Sequence, residues 1–353
     1  MYRHRLLPGL ALSAALAALA MSLGRIGWLQ SHGISALTAA IVLGIVVGNT
    51  LYSRIAASSS SGVTFSKQTL LRTGVILYGL RLTLHDIGQV GFAGVLIDAL
   101  VLVSTFVLAQ VLGRRLLGLD RTTSILIGAG SAICGAAAVM ATGPVVRAKP
   151  EQVTVAVSTV VVFGTLAIFL YPALYRLNLL WLLLPPGRSA FGIYAGSTIH
   201  EVAQVFAAGR SVSMETANTA VITKLVRVMM LAPFLIGLSV WLARGATQTH
   251  TAKQTAVAAE LATRTLPIPW FAFGFIGIVM FNSLSLLPQR VVSAAIDLDT
   301  LLLAMAMAAL GLSTHVRALR QAGIKPLLLG SLLFAWLIIG GGATNALLAH
   351  CLH

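Results

Sequence analysis

The sequence predicts an all-α, polytopic membrane protein of about eleven transmembrane helices, two of them broken, with an internal repeat. Three observations carry this. Of the 353 residues, 58% are hydrophobic and only 9% charged, where a soluble domain carries about a quarter charged. Apolar runs of membrane-crossing length recur along the whole chain, and Lys and Arg are concentrated in alternate segments between them. So few charges cannot clothe a water-facing surface of this size, and a mean hydropathy of +0.93 agrees.

About 20 apolar residues are needed to cross roughly 30 Å of hydrocarbon. Spans are expected near 6–23, 34–52, 69–87, 92–112, 122–146, 153–175, 189–208, 216–243, 268–287, 300–315 and 326–349. The first could be read as a signal peptide, from Arg3, Arg5 and the small-residue stretch Ala18-Leu19-Ala20, but an uncleaved helix is preferred. The fifth and seventh spans are rich in Gly and Ser and are expected to break around Ser131–Gly135 and Ser197–Glu201. Residues 1–243 form a first bundle of eight spans, 244–267 a polar cytoplasmic linker, and 268–353 three last spans packing on the same bundle.

The net charge of +15 would suggest nucleic acid in a soluble protein, but here the positive-inside rule explains it. With the N-terminus inside, Arg25, Arg147, Lys149, Arg210 and Arg290 fall outside. Arg72, Arg81, Lys224 and Arg227 fall within spans, leaving fifteen of the 24 Lys and Arg on the inside. The expectation is a multi-pass protein of the bacterial inner membrane, N-terminus cytoplasmic and C-terminus periplasmic, with no nucleic acid partner and room for a homodimer. Cys134 and Cys351 form neither a disulfide framework nor a CxxC metal site, and no cofactor or metal is expected.

Internal similarity points to duplication, as in many carriers. Gly44-Ile-Val-Val-Gly-Asn49 recurs as Gly277-Ile-Val-Met-Phe-Asn282. Gly79-Leu80 matches Gly311-Leu312, and Gln89 with Gly91 matches Gln321 with Gly323. A third pair is AGSAICGAAAV from Ala129 and AGSTIHEVAQV from Ala195. The span count makes the first two pairs opposite in orientation and the third parallel.

The third pair also holds the candidate chemistry. A break at Ser131, Ile133, Cys134 and Gly135 would aim the free N–H groups of a half-helix at an anion; tight packing of small residues accounts for the same glycines. Ser197, His200, Glu201 and Gln204 place polar and ionisable groups at membrane depth, where they usually mark a pathway; the alternative is an interhelical hydrogen-bond cluster. Lys224 and Arg227 share a helix face with the stripe Thr216, Thr219 and Thr223, and two buried cations require something anionic nearby unless they snorkel. Asn49 and Asn282 are candidates at lower weight, since helix–helix hydrogen bonding explains both. Asp98 could carry a coupling proton or pair with Arg72 or Arg81. His200-Glu201 followed by Gln204 is one residue short of the zinc-protease HExxH pattern and has no third ligand. No GxxxxGK[ST] loop is present, so any coupling is to an ion gradient.

On the ICGA element at Ile133–Ala136, IHEVAQV at Ile199–Val205, KLVRVMMLAP from Lys224 and ALRQAGIKPLLLG from Ala318, nearly the whole chain resembles the YeiH-like family of bacterial inner-membrane proteins, which carries a sulfate-exporter label. More distantly, GLRLTLHDI from Gly79 and the helix ending Tyr171-Pro172 are similar to the bile-acid/sodium symporter superfamily, which implies a crossed broken-helix core with binding near the bilayer midplane. The expected function is a secondary transporter, not an enzyme: an exporter of a small anion such as sulfate or another sulfur oxyanion, by alternating access, with a proton or sodium ion as coupling partner. The alternatives are a sodium- or proton-coupled carrier of cations or organic anions, and a membrane metalloenzyme centred on His200 and Glu201.

Overall fold

Short polar side chains set where the helices begin. Ser35 Oγ accepts from Thr38 N at 3.2 Å, Asp120 Oδ1 from Thr123 N at 2.9 Å and Ser213 Oγ from Thr216 N at 3.0 Å. Thr83 and Asp86 form a reciprocal capping box. Each supplies an acceptor to N–H groups that the helix itself cannot satisfy.

The computed structural model describes residues 2–26, 35–177, 187–246, 270–314 and 323–352, and no strand occurs among them. The helices are α1 (Tyr2–Leu23), α2 (Ala36–Thr50), α3 (Tyr52–Phe65), α4 (Leu71–Tyr78), α5 (Leu84–Val111), α6 (Arg121–Ala132), α7 (Ala136–Val145) and α8 (Pro150–Arg176). They continue as α9 (Arg188–Thr198), α10 (Val202–Arg210), α11 (Met214–Met229), α12 (Leu231–Ala246), α13 (Trp270–Ser283), α14 (Gln289–Leu312) and α15 (Ile324–Leu352). Most of the expected linker, from residue 247 on, lies outside the described residues, as does Arg320 in the ALRQAGIKPLLLG run.

Among the described residues, six helical stretches are long and apolar enough to cross a membrane: Leu6–Leu23, Val90–Leu116, Pro150–Arg176, Met214–Leu242, Gln289–Leu312 and Ile324–Leu348. They answer to six of the eleven expected spans. The other five fall on shorter pieces. The segments at 34–52 and 268–287 become the 15-residue α2 and the 14-residue α13. Those at 122–146 and 189–208 are each interrupted, as α6–α7 and α9–α10. The stretch expected at 69–87 is displaced, because helical structure runs from Tyr52 through a π-turn at Ser66–Leu70 to a 3-10 turn at Gly79–Arg81.

That displacement has a packing cause. The Ser-rich stretch 58–61, polar enough to read as a loop, lies in α3 against α1. A Cβ on Gly62 would stand 2.7 Å from Gly9 Cα, and one on Gly9 would stand 2.7 Å from Gly62 Cα. Small residues thus bring two backbones together where larger side chains would hold them apart.

The helices gather into two groups. In one, α1, α2, α3, α4, α13 and α14 pack on one another; in the other, α5–α11 pack with α15. The seam between them is sparsely packed and includes a small apolar cavity lined by Val75, Tyr78, Val202, Ala203, Phe206, Val221 and Leu303. Tyr78 Oη donates to Asn218 Oδ1 across it at 2.6 Å, the Thr38 and Ser211 hydroxyls meet at 3.1 Å, and Ser283 Oγ accepts from Leu84 N at 2.9 Å. On the outside, Leu19, Val46, Phe92, Val103, Val107, Phe169, Ile236, Phe273, Met280 and Ile339 are exposed. An apolar belt on this scale suits hydrocarbon as solvent.

Gly62→Leu should force α1 off α3. Overpacking of this kind costs roughly 1–3 kcal/mol, so the expected outcome is a lower melting temperature of the detergent-solubilised protein, read by tryptophan fluorescence.

Candidate functional site

The site grows from two places where helical structure stops inside the protein. α6 ends at Ala132, and Ile133 takes φ −121° and ψ −84°. Gly135 then adopts φ +64° before α7 begins. A Cβ there would also strike the Glu201 side chain, standing 3.0 Å from Oε1, so both backbone and space select glycine. α9 ends at Thr198; Ile199 and Glu201 are extended, and α10 begins at Val202. Gln204 Oε1 accepts from Glu201 N at 3.1 Å, and Gln204 lies against Gly164 of α8, where any Cβ would displace it.

Each break frees backbone carbonyls that lipid cannot satisfy. Two cations of α11 meet them. Lys224 Nζ donates to Ile133 O and to Ile199 O, both at 2.6 Å, and so joins the two breaks. Arg227 Nε donates to Ala132 O at 2.5 Å. Both side chains are fully buried, so neither snorkels. Positive charge at helix C-termini is also favourable to the dipole. At the opposite end of the first break, where the α7 N-terminus was expected to receive an anion, Ala136 N donates to Glu201 Oε1 at 3.2 Å.

Several polar atoms around this junction have no hydrogen-bond partner. They are Arg227 Nη1 and Nη2, both oxygens of Asp98, Ser131 Oγ, His200 Nδ1 and Gln204 Nε2, on side chains no more than 1% exposed. The charges of Arg227 and Lys224 act on Asp98 and on His200, yet Asp98 makes no ion pair; among the described residues that bond is recorded for Arg81 and Asp299. Buried donors and acceptors are ordinarily paired, so such a concentration needs an occupant or a role.

A family described as "Conserved hypothetical protein 698" matches residues 8–330. The chain is 65% identical to the UPF0324 membrane protein PA5383 of Pseudomonas aeruginosa, across 96% of this chain and 93% of the relative. It is 56% identical to the UPF0324 inner membrane protein YeiH of Escherichia coli K12, across 97% and 95%. The chain belongs to the UPF0324 membrane protein family. No solved structure matches it.

In this UPF0324 protein the junction gathers Ser131, Ile133, Cys134, Gly135, His200, Glu201, Gln204, Lys224 and Arg227. Cys134 is a buried free thiol within reach of the Lys224 and Glu201 charges. Ser197 turns toward α15: its Oγ donates to Tyr194 O and accepts from Asn345 Nδ2 at 3.2 Å. The Thr219 and Thr223 hydroxyls of the predicted polar stripe return to their own helix, while Thr216 Oγ1 donates to Arg188 O.

Asn49 and Asn282 lie outside the junction. Asn49 Nδ2 donates to Thr314 O at 2.9 Å, and Asn282 Nδ2 to Leu82 O at 3.0 Å, so both tie down chain just past a helix end. Asp98 does not pair with Arg81, which instead holds Asp299 by an Nε–Oδ2 bond of 3.0 Å and Thr300 Oγ1 at 2.7 Å. Asp299 escaped the sequence reading because the apolar ruler began that span one residue later. Asn345 escaped too, though an amide inside an apolar run is a signal of its own. Among the described residues no three His, Cys, Asp or Glu side chains gather in metal-binding fashion.

Lys224→Met should leave the Ile133 and Ile199 carbonyls without their shared donor. Hydrogen bonds to a charged group are worth about 1.5–3 kcal/mol each. A fall in melting temperature several times that caused by Asn282→Ala is the expected result in detergent thermal melts.

Proposed function

We propose that this protein is a secondary carrier for a small anion of the sulfur-oxyanion class, working by alternating access in the bacterial inner membrane. The observation that carries the reading is Arg227: a fully buried guanidinium whose two terminal nitrogens meet no protein acceptor. A guanidinium presents its donors as a planar fork suited to oxyanions. Ser131, His200 and Gln204 offer further unpartnered polar atoms at the same junction. Lys224 holds both breaks together and adds positive charge beside the bound solute.

Several features fit a carrier scaffold. Broken helices enclosing ionisable groups are a recurring arrangement in secondary transporters. Asn49 and Asn282 are matched positions of the internal repeat, and each bonds the chain just past the Gly-Leu pair of the other copy. That reciprocity favours a duplicated scaffold whose copies are related by a two-fold. An eleven-crossing arrangement with N-terminus cytoplasmic and C-terminus periplasmic remains the topology proposed, and the name "inner membrane protein" borne by the Escherichia coli relative supports the compartment.

Uptake of radiolabelled sulfate and sulfite into proteoliposomes tests this. Arg227→Ala should lower flux at least about tenfold, a loss matching one charge-assisted bond. Flux equal to wild type in both Arg227→Ala and Lys224→Ala would remove these residues from the site.

A further inference from the structure

Asp98 is the charge that the carrier reading leaves without work. It lies on α5, fully buried, with no partner for either oxygen. When ionised, this carboxylate depends on nearby positive charge rather than on donors of its own. The charges acting on it are Arg227 and Lys224 of α11. The other charged and histidine residues on elements packed against α5 sit toward helix ends: Arg114 and Arg115 in the π-turn after it, Arg121 opening α6, Arg188 opening α9, Glu215 in the first turn of α11, and Lys325 and His350 in the first and last turns of α15, while the Tyr194 hydroxyl of α9 is committed to Ile338 O. α13 has none.

The junction is formally neutral when fully ionised, with Lys224 and Arg227 set against Asp98 and Glu201. Glu201 is engaged by the α7 N-terminus. A monoanion delivered to Arg227 would therefore bring an uncompensated negative charge into a dry site, next to a carboxylate already lacking donors. Uncompensated buried charge is the costliest arrangement available to a protein interior. Adding a proton to Asp98 restores neutrality and gives an acceptor-only group one O–H donor.

Resting on the carrier reading, we propose that Asp98 takes up one proton when a monoanion binds at Arg227, so that proton and anion occupy the site together. The proton comes from water and returns to it when the anion leaves. The coupling ion is thereby a proton, and the loaded site has the same net charge as the empty one.

The test uses full-length protein in nanodiscs with methanesulfonate as the probe, following binding by calorimetry in buffers of different ionisation enthalpy and proton uptake with a pH dye. The expected result is about one proton taken up per anion at a pH where Asp98 is ionised, with affinity falling about tenfold per pH unit there. At lower pH, where Asp98 already holds its proton, both effects disappear. Asp98→Asn should still bind methanesulfonate, without proton uptake and with pH-independent affinity. Binding without proton uptake in the wild type, or uptake that survives in Asp98→Asn, would overturn the proposal while leaving the anion carrier standing. Preference for an aminosulfonate zwitterion bound without proton exchange would overturn it too, placing an ammonium group against Asp98. No binding of methanesulfonate, sulfate or sulfite would bring down the carrier reading, and this inference with it.

Discussion

One ammonium group makes the interior of this protein possible. Two helices stop within the bundle, and each stop frees carbonyl oxygens in surroundings where water is scarce. Lys224 answers both with a single side chain, bonding Ile133 O and Ile199 O at 2.6 Å, and Arg227 answers the neighbouring Ala132 O. The breaks need the cations, and the cations, buried at zero exposure, need the breaks. Gly135 and Glu201 complete the arrangement from the other side: the glycine provides the positive φ and the space, and the glutamate provides an acceptor for the exposed N–H of Ala136. Partial charges at helix ends and full charges on side chains thus offset one another locally.

The surrounding helices serve this junction by position. α11 carries both cations and packs on α9 and α10, so its register fixes where Nζ and the guanidinium arrive. α8 offers Gly164 to the Gln204 amide, and α15 holds Ser197 through Asn345 and Tyr194 through Ile338 O. α5 brings Asp98 to the same region. A second group, α1–α4 with α13 and α14, forms a separate body stapled by Arg81 and Asp299.

Much of this was legible in the sequence, for reasons that differ from residue to residue. The membrane class followed from composition alone. The breaks were legible because Gly and Ser in an apolar run are poor helix formers, and the depth of Lys224 because its position is too far from a helix end to snorkel. Its partners were not: an electrostatic argument looks for an anion, whereas the lysine found two carbonyls made available by breaks in distant sequence. The Ser-rich stretch 58–61 fell between the expected spans because hydropathy cannot see that its small residues meet Gly9 on α1. Asn49 and Asn282 were visible as matched amides, but only three-dimensional proximity identifies Thr314 and Leu82 as their acceptors.

The seam between the two bodies has a consequence of its own. Among the described residues, each side-chain hydrogen bond named across it uses a hydroxyl group, on Tyr78 (to the Asn218 amide oxygen), Thr38, Ser211 or Ser283. A hydroxyl that loses a protein partner can take a water molecule with little change in free energy, whereas a separated ion pair could not be replaced so cheaply. The energetic resistance to parting the two bodies therefore resides in the apolar surface uncovered, around Val75, Phe206, Val221 and Leu303, and it scales with area. Substitutions that enlarge or shrink those four side chains tune the ease of separation continuously, without touching a single charged group.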